Sequence, residues 1–179
     1  GISEQNTVSL AAGLAMEARQ TFIYGIAAHI STRAYEQIRL DVVANKLPVC
    51  MLAMGGGFSY GNDGLTHLST HDIGIMRAIP GVTVISPADC VETVKSVLAA
   101  VNHTEPVYIR LTGGANIDQI YYDDYEFKIG KSITLKEGKD ISIFASGTMV
   151  KVALECSKIL NQNKIDVEVV NMHTIKPID

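Results

Sequence analysis

Apolar positions along the chain switch between two spacings, and the switches outline a fold. Over residues 7–19, Val8, Leu10, Ala11, Leu14 and Ala15 fall near an i, i+3, i+4, i+7 stripe, which predicts a helix with one buried face. Residues 21–30 form a continuous apolar run with little alternation, as expected of a strand covered on both faces. Residues 31–43 read as a helix capped by Ser31 or Thr32, with Arg33, Glu36 and Arg39 outward. A second buried strand is expected over 47–54, opened by Pro48 and closed by Gly55, Gly56 and Gly57. Helical spacing returns over 71–78 and stops at Pro80-Gly81. A strand over 82–86, a helix over 89–101 and a strand over 106–111 follow. Strands alternating with helices predict an α/β fold, a parallel sheet with helices on both faces.

The pattern changes after Gly113-Gly114. Residues 118–138 are polar and hold the cluster Tyr121, Tyr122, Asp123, Asp124, Tyr125, Glu126. They read as a linker with a hairpin, 126–130 and then 132–135, turning through 136–139. A new unit then begins, with a strand over 141–145, a turn at Gly147, a helix over 148–160 and a strand over 167–172. One crossover in about forty residues cannot cover both faces of a sheet. The expected organisation is one α/β domain over 1–113, a linker over 114–138 and the start of a second α/β domain over 139–179, a fragment of a longer protein.

Composition narrows the classes. The 179 residues are 47% hydrophobic and 19% charged, with a net charge of -4. Lys and Arg are not clustered, which argues against a nucleic-acid partner. Cys50, Cys90 and Cys156 are widely spaced in apolar surroundings, with no CxxC pair or Cys/His cluster. Reduced, buried thiols in a cytoplasmic protein are expected. The longest apolar run, 47–54, is too short to span a bilayer, so no membrane partner is expected, and no leader precedes it.

Two stretches carry candidate chemistry. Glu4, in Gly1-Ile2-Ser3-Glu4-Gln5-Asn6, is on its own a carboxylate at a helix start, where the macrodipole favours it. Loop 55–67 contains Gly55, Gly56, Gly57, Gly61, Asn62 and Gly64, so its backbone can approach a ligand closely. Because it follows a strand, it belongs at the carboxyl edge of the sheet, where open α/β folds bind ligands. It lacks the GxxxxGK[ST] spacing of a nucleotide loop. It ends in Asp63-Gly64-Leu65-Thr66-His67, and a neutral imidazole there could give or take a proton. His71, four residues on, would need a helix through both histidines and a third ligand to bind metal, and neither is evident.

With the run Arg33-Ala34-Tyr35-Glu36-Gln37-Ile38, these stretches resemble the transketolase family, specifically its pyrimidine-binding domain. The family loop reads D-G-P-T-H, with Leu65 here replacing proline. Further likenesses lie over 76–81, 86–89 and 106–111, and residues 169–177 resemble the start of the family's carboxy-terminal domain. The resemblance implies thiamine diphosphate as cofactor and transfer of a two-carbon ketol unit between sugars. It places Glu4 against the aminopyrimidine, where sharing a proton with a ring nitrogen favours the imino tautomer and requires shielding from water. It places Tyr24, His29, Ile30 and Arg33 around the ring, with His29 or Ile30 standing where an aromatic side chain usually stacks, and leaves Phe22 to core packing. His67 would handle substrate protons, with Asp63 orienting the loop at the substrate.

Magnesium and the diphosphate, whose family GDG motif this chain lacks, would be held by a diphosphate-binding domain or subunit in a homodimer or heterotetramer. Where sugar-phosphate-using relatives carry an arginine, this chain has Gly113, which implies a weakened phosphate clamp and leaves the substrate a sugar or a sugar phosphate. The run 33–38 also resembles 1-deoxyxylulose-5-phosphate synthases. A non-catalytic scaffold of the same fold is the alternative of another class.

Overall fold

The computed structural model describes residues 2–112 and 117–179. One sheet runs in the order β1 (Thr21–Ile26), β2 (Val49–Met54), β4 (Val107–Leu111), β3 (Thr83–Ile85), β8 (Thr174–Lys176). The first four strands are parallel, and β8 closes the far edge antiparallel to β3. A smaller sheet has the order β5 (Ile133–Lys136), β7 (Val167–Asn171), β6 (Ile141–Ala145). In it β6 and β7 are parallel, joined through α5 (Met149–Gln162), and β5 is antiparallel to β7.

Alternation along β2 divides the core of the larger sheet. Val49, Met51 and Ala53 face one side, where they pack with Val8, Ala11, Ala12 and Ala15 of α1 (Glu4–Met16) and Met76 of α3 (Asp72–Ala78). Cys50 and Leu52 face the other, against Val97 and Ala100 of α4 (Cys90–Val101) and Phe127 and Ile129 of the segment before β5. Helices therefore cover both faces, and the fold is α/β as expected. The carboxyl ends of β1 and β2 lead into residues 27–33 and the glycine-rich loop, so both candidate stretches emerge at the same edge.

Several elements depart from the patterning. The run 21–30 is not one strand: β1 ends at Ile26, and the chain winds into a π-helical turn, His29–Arg33, then α2 (Tyr35–Gln37) and a second π-helical stretch, Ile38–Val43. Neither Ser31 nor Thr32 is a cap. A short apolar run does not distinguish a buried strand from a buried helix. Nor is β1 covered on both sides: it is an edge strand, and Phe22 and Tyr24 are exposed. On α1 the buried stripe is Val8, Ala11, Ala12 and Ala15, while Leu10 and Leu14 face outward. Small side chains let the helix lie close to the sheet. Residues 126–130 form no strand, because Phe127 and Ile129 are used instead to cover the larger sheet. Of the thiols only Cys50 is buried, with its pKa pushed up to about 12 by burial. Cys90 and Cys156 are exposed, on outward positions of α4 and α5. No helix among the described residues is long and apolar enough to cross a membrane.

Candidate active site

Glu4 opens α1, and the helix turns its side chain inward rather than to solvent: the carboxylate is 12% exposed. Arg33 Nη1 donates to its Oε2 at 2.8 Å, and His29 Nδ1 lies 3.6 Å from Oε1. Burial raises the carboxyl pKa, but the Arg33 hydrogen bond and the helix-start backbone N–H outweigh it, and Glu4 is held below the usual carboxylate range. Arg33 and His29 both come from the π-helical turn after β1. Such turns are rare and concentrate at functional sites, because the wider winding re-aims side chains.

His29 links Glu4 to the loop. Its Nε2 is 3.0 Å from the Thr66 carbonyl, which only accepts, so the ring donates from Nε2 and its neutral form presents the Nδ1 lone pair towards Glu4. Burial, first, and the Arg33 charge lower its pKa, so the neutral form prevails at pH 7. The His67 ring stands edge-on to it at 5.3 Å between centroids, and Tyr60 lies edge-on to His67 at 6.2 Å. His67 Nδ1 is 2.9 Å from Thr66 Oγ1, whose hydroxyl is 3.3 Å from the Asp63 carbonyl.

A hollow of about 190 Å³ opens beside Glu4, lined by Ser3, Thr7, Ile23, Tyr24, Gly25 and Ile30 as well. Its walls mix apolar side chains (Ile23, Ile30) with polar ones (Ser3, Thr7, Tyr24) in about equal measure, and Glu4 is the one charged side chain among those lining residues. A flat heteroaromatic ring with a basic nitrogen suits that composition, so the residues present fit the pyrimidine end of thiamine diphosphate. Among the described residues no group of three or more His, Cys, Asp and Glu side chains is arranged to hold a metal ion.

The structure thus gathers Glu4, His29, Arg33 and His67 into one cluster and puts Tyr24 and Ile30 on the adjoining hollow. Tyr24 sits at the rim, largely exposed. Asp63 is exposed in a 3₁₀ turn, Gly61–Asp63, and joins the cluster through its carbonyl rather than its carboxylate. Gly113 lies outside the described residues. Arg110 is engaged, with Nε 2.9 Å from Asp72 Oδ2. Sequence reading missed Tyr60. Its ring would collide with any side chain at Gly55, where an added Cβ would lie 2.1 Å from Cε2 and φ is +82°. A glycine run beside an aromatic residue was the available signal.

The family model of the transketolase pyrimidine binding domain matches residues 1–115, and that of the transketolase C-terminal domain matches residues 130–179. The chain is 38% identical over 179 residues to one subunit of the apulose-4-phosphate transketolase of Phocaeicola vulgatus, covering all of this chain and 57% of that protein. It is 37% identical over 183 residues to 1-deoxy-D-xylulose-5-phosphate synthase of Desulforudis audaxviator, covering 28% of it. A solved split-gene transketolase, an inactive β4 tetramer, superimposes with a TM-score of 0.91 at 36% identity, over all of this chain and 57% of that one. The chain belongs to the transketolase family. It spans little more than half the length of such subunit-type relatives.

Proposed function

We propose that this chain supplies the pyrimidine side of a thiamine diphosphate-dependent site that transfers a two-carbon ketol unit between sugars. The observation that carries the reading is the convergence of Glu4 and His67, 63 residues apart in the chain, on either side of His29. When bound, the cofactor supplies the carbanion chemistry, and the protein supplies placement and proton control. Glu4, shielded and lining the hollow, would share a proton with a basic ring nitrogen bound there. Arg33 fixes the carboxylate's orientation through its 2.8 Å hydrogen bond, His29 packs beside it, and Tyr24 and Ile30 would flank the ring. At His67 the Thr66 hydroxyl gives its hydrogen to the Asp63 carbonyl and accepts from Nδ1–H, which leaves the Nε2 lone pair to take a proton from substrate.

The same proposal divides the chain into a pyrimidine-binding domain over 1–113, a linker over 114–138 and the beginning of a carboxy-terminal domain over 139–179. It assigns the diphosphate and magnesium to a partner domain or subunit, in a homodimer or heterotetramer acting in the cytoplasm. Apolar residues left exposed on this chain fit such an assembly: Val94, Leu98 and Val101 on α4, and Leu10, Leu14 and Met16 on α1. The run from Arg33 to Ile38 favours a second reading, condensation of a 2-oxoacid with a triose phosphate. Replacing a ketose donor by pyruvate in the assay separates the two.

The test is ketol transfer by the complete protein with its diphosphate-binding partner, thiamine diphosphate and magnesium. Glu4→Gln should keep the assembly and lower kcat by about 10² or more, the usual scale for losing a positioned proton-transfer group. Wild-type turnover by Glu4→Gln would reject the assignment.

A further inference from the structure

Arg110 and Asp72 line neither the hollow nor the histidine cluster, yet they lie directly beneath the loop that carries His67. Asp72, on the first turn of α3, is 1% exposed. Its Oδ2 accepts from Arg110 Nε at 2.9 Å and from the Tyr108 hydroxyl at 3.0 Å. From β4, Arg110 Nη2 also donates to the Ser69 carbonyl at 3.3 Å. The guanidinium runs under the other side of the loop as well. A methyl built on Gly56 would fall 2.6 Å from Arg110 Nε, and one on Gly57 would fall 3.1 Å from Nη2.

Gly57 and Ser69 in turn exchange backbone hydrogen bonds of 2.8 and 3.0 Å, so they form the neck of a loop whose interior holds Tyr60, Thr66 and His67. Arg110 touches both sides of that neck. Its planar fork offers donors in fixed directions, which a lysine ammonium does not. An apolar pair could fill this buried space with no loss of stability. It could not hold the Ser69 carbonyl or direct the loop.

We propose that Arg110, locked by Asp72, is a positioning residue that fixes the neck of the 57–69 loop and thereby sets His67 against His29 and Glu4. This rests on the assignment of Glu4 and His67 to the site. The pair lies at neither end of the chemistry, and its effect passes through the Gly57–Ser69 bridge.

The experiment uses the complete protein assembled with its diphosphate-binding partner and compares Arg110→Lys, Gly56→Ala and Glu4→Gln with the parent. Amide hydrogen exchange is read at Gly57 and Ser69 and, as core references, at Met51 and Ile109; kcat and the KM for thiamine diphosphate are measured alongside. Arg110→Lys and Gly56→Ala should each speed exchange at the neck at least tenfold, with the core amides within twofold of the parent. Each should lower kcat at least tenfold with cofactor KM little changed. Glu4→Gln should lose activity with the neck as slow as in the parent. Gly56→Ala keeps both buried charges, so it decides the matter if Arg110→Lys fails to fold.

Neck exchange at the parent rate, or equal acceleration in the core, overturns the proposal. So does a loosened neck with full kcat while Glu4→Gln is inactive. If Glu4→Gln also keeps full activity, the catalytic reading of the site fails, while a loosened neck still upholds Arg110 as the residue that holds the loop.

Discussion

A carboxylate on the first turn of a helix has no reason of its own to be dry, and Glu4 is nearly so. What removes it from water is the π-helical turn, which brings Arg33 and His29 over it. Arg33 counters the burial that would otherwise raise the Glu4 pKa. Arg33→Met should therefore move the Glu4 carboxyl titration upward, as read by carboxyl-carbon NMR of the complete protein. An unmoved titration would assign the depression to the helix-start backbone instead. The sign has a consequence: a depressed carboxyl pKa stabilises the fold above about pH 4.5, and that share is lost as pH falls through the native value. Glu4, His29, Arg33 and His67 were named as candidates through the family resemblance of their local runs; residue type alone left Glu4 a helix-start carboxylate and His67 a loop histidine. Asp72, Arg110 and Tyr60 were not named as candidates. Alternation tells which face of β4 Arg110 occupies, but nothing local says that Asp72, 38 residues earlier, lies on that face to meet it.

At the scale of elements, ends matter more than interiors. Asp89 caps α4 by accepting from Glu92 N–H at 2.8 Å through Oδ1, and its Oδ2 accepts from the backbone N–H of Ile120 and Tyr121 at 2.8 and 3.0 Å. One buried carboxylate thus starts a helix and pins residues 120–121 to it. Asp89→Ala removes the cap and strands two more donors, which should cost about 3 kcal/mol in a urea unfolding midpoint. A loss under about 1 kcal/mol would mean water replaces the carboxylate at no penalty. Helix α4 itself was readable from its stripe, and so were α3 and α5. β1 was misread because its apolar run serves two elements, a strand to Ile26 and a buried helical turn from His29. The inward side of α1 was misjudged because leucines outweigh alanines on any hydrophobicity scale. Close approach to the sheet selected the alanines instead, and left Leu10 and Leu14 outside.

Across the whole molecule the two sheets are tied where patterning says nothing about neighbours. β8 was not read as a strand, since three residues carry too little alternation to mark one, and nothing local says that they return to β3. The buried Asn171 side chain, at the end of β7, donates to both Glu92 carboxylate oxygens at 2.9 and 3.0 Å, joining the small sheet to α4. Two residues on, His173 is fully buried, stacked on Phe127 at 4.2 Å between centroids, with Nδ1 2.9 Å from Thr174 Oγ1. Its backbone carbonyl accepts from Ser86 N–H at 2.8 Å. Burial lowers its pKa from 6.5 to about 4, against a smaller upward pull from Asp179. Above pH 6.5 the ring is neutral in both the folded and unfolded chain, and stability is complete. Between 6.5 and about 4 only the unfolded chain takes up the proton, so stability drains away by about 3 kcal/mol in all. Glu92 works in the reverse sense, since burial raises its pKa and its share of stability fades as pH rises. It is present in parent and variant alike, so the informative quantity is their difference. His173→Phe keeps a ring against Phe127 but cannot bind a proton. In the complete protein, acidification from about pH 7 to about pH 5 should lower the urea midpoint of the parent distinctly more than that of His173→Phe. Equal losses in the two proteins would show that His173 is protonated without leaving its place between the two sheets.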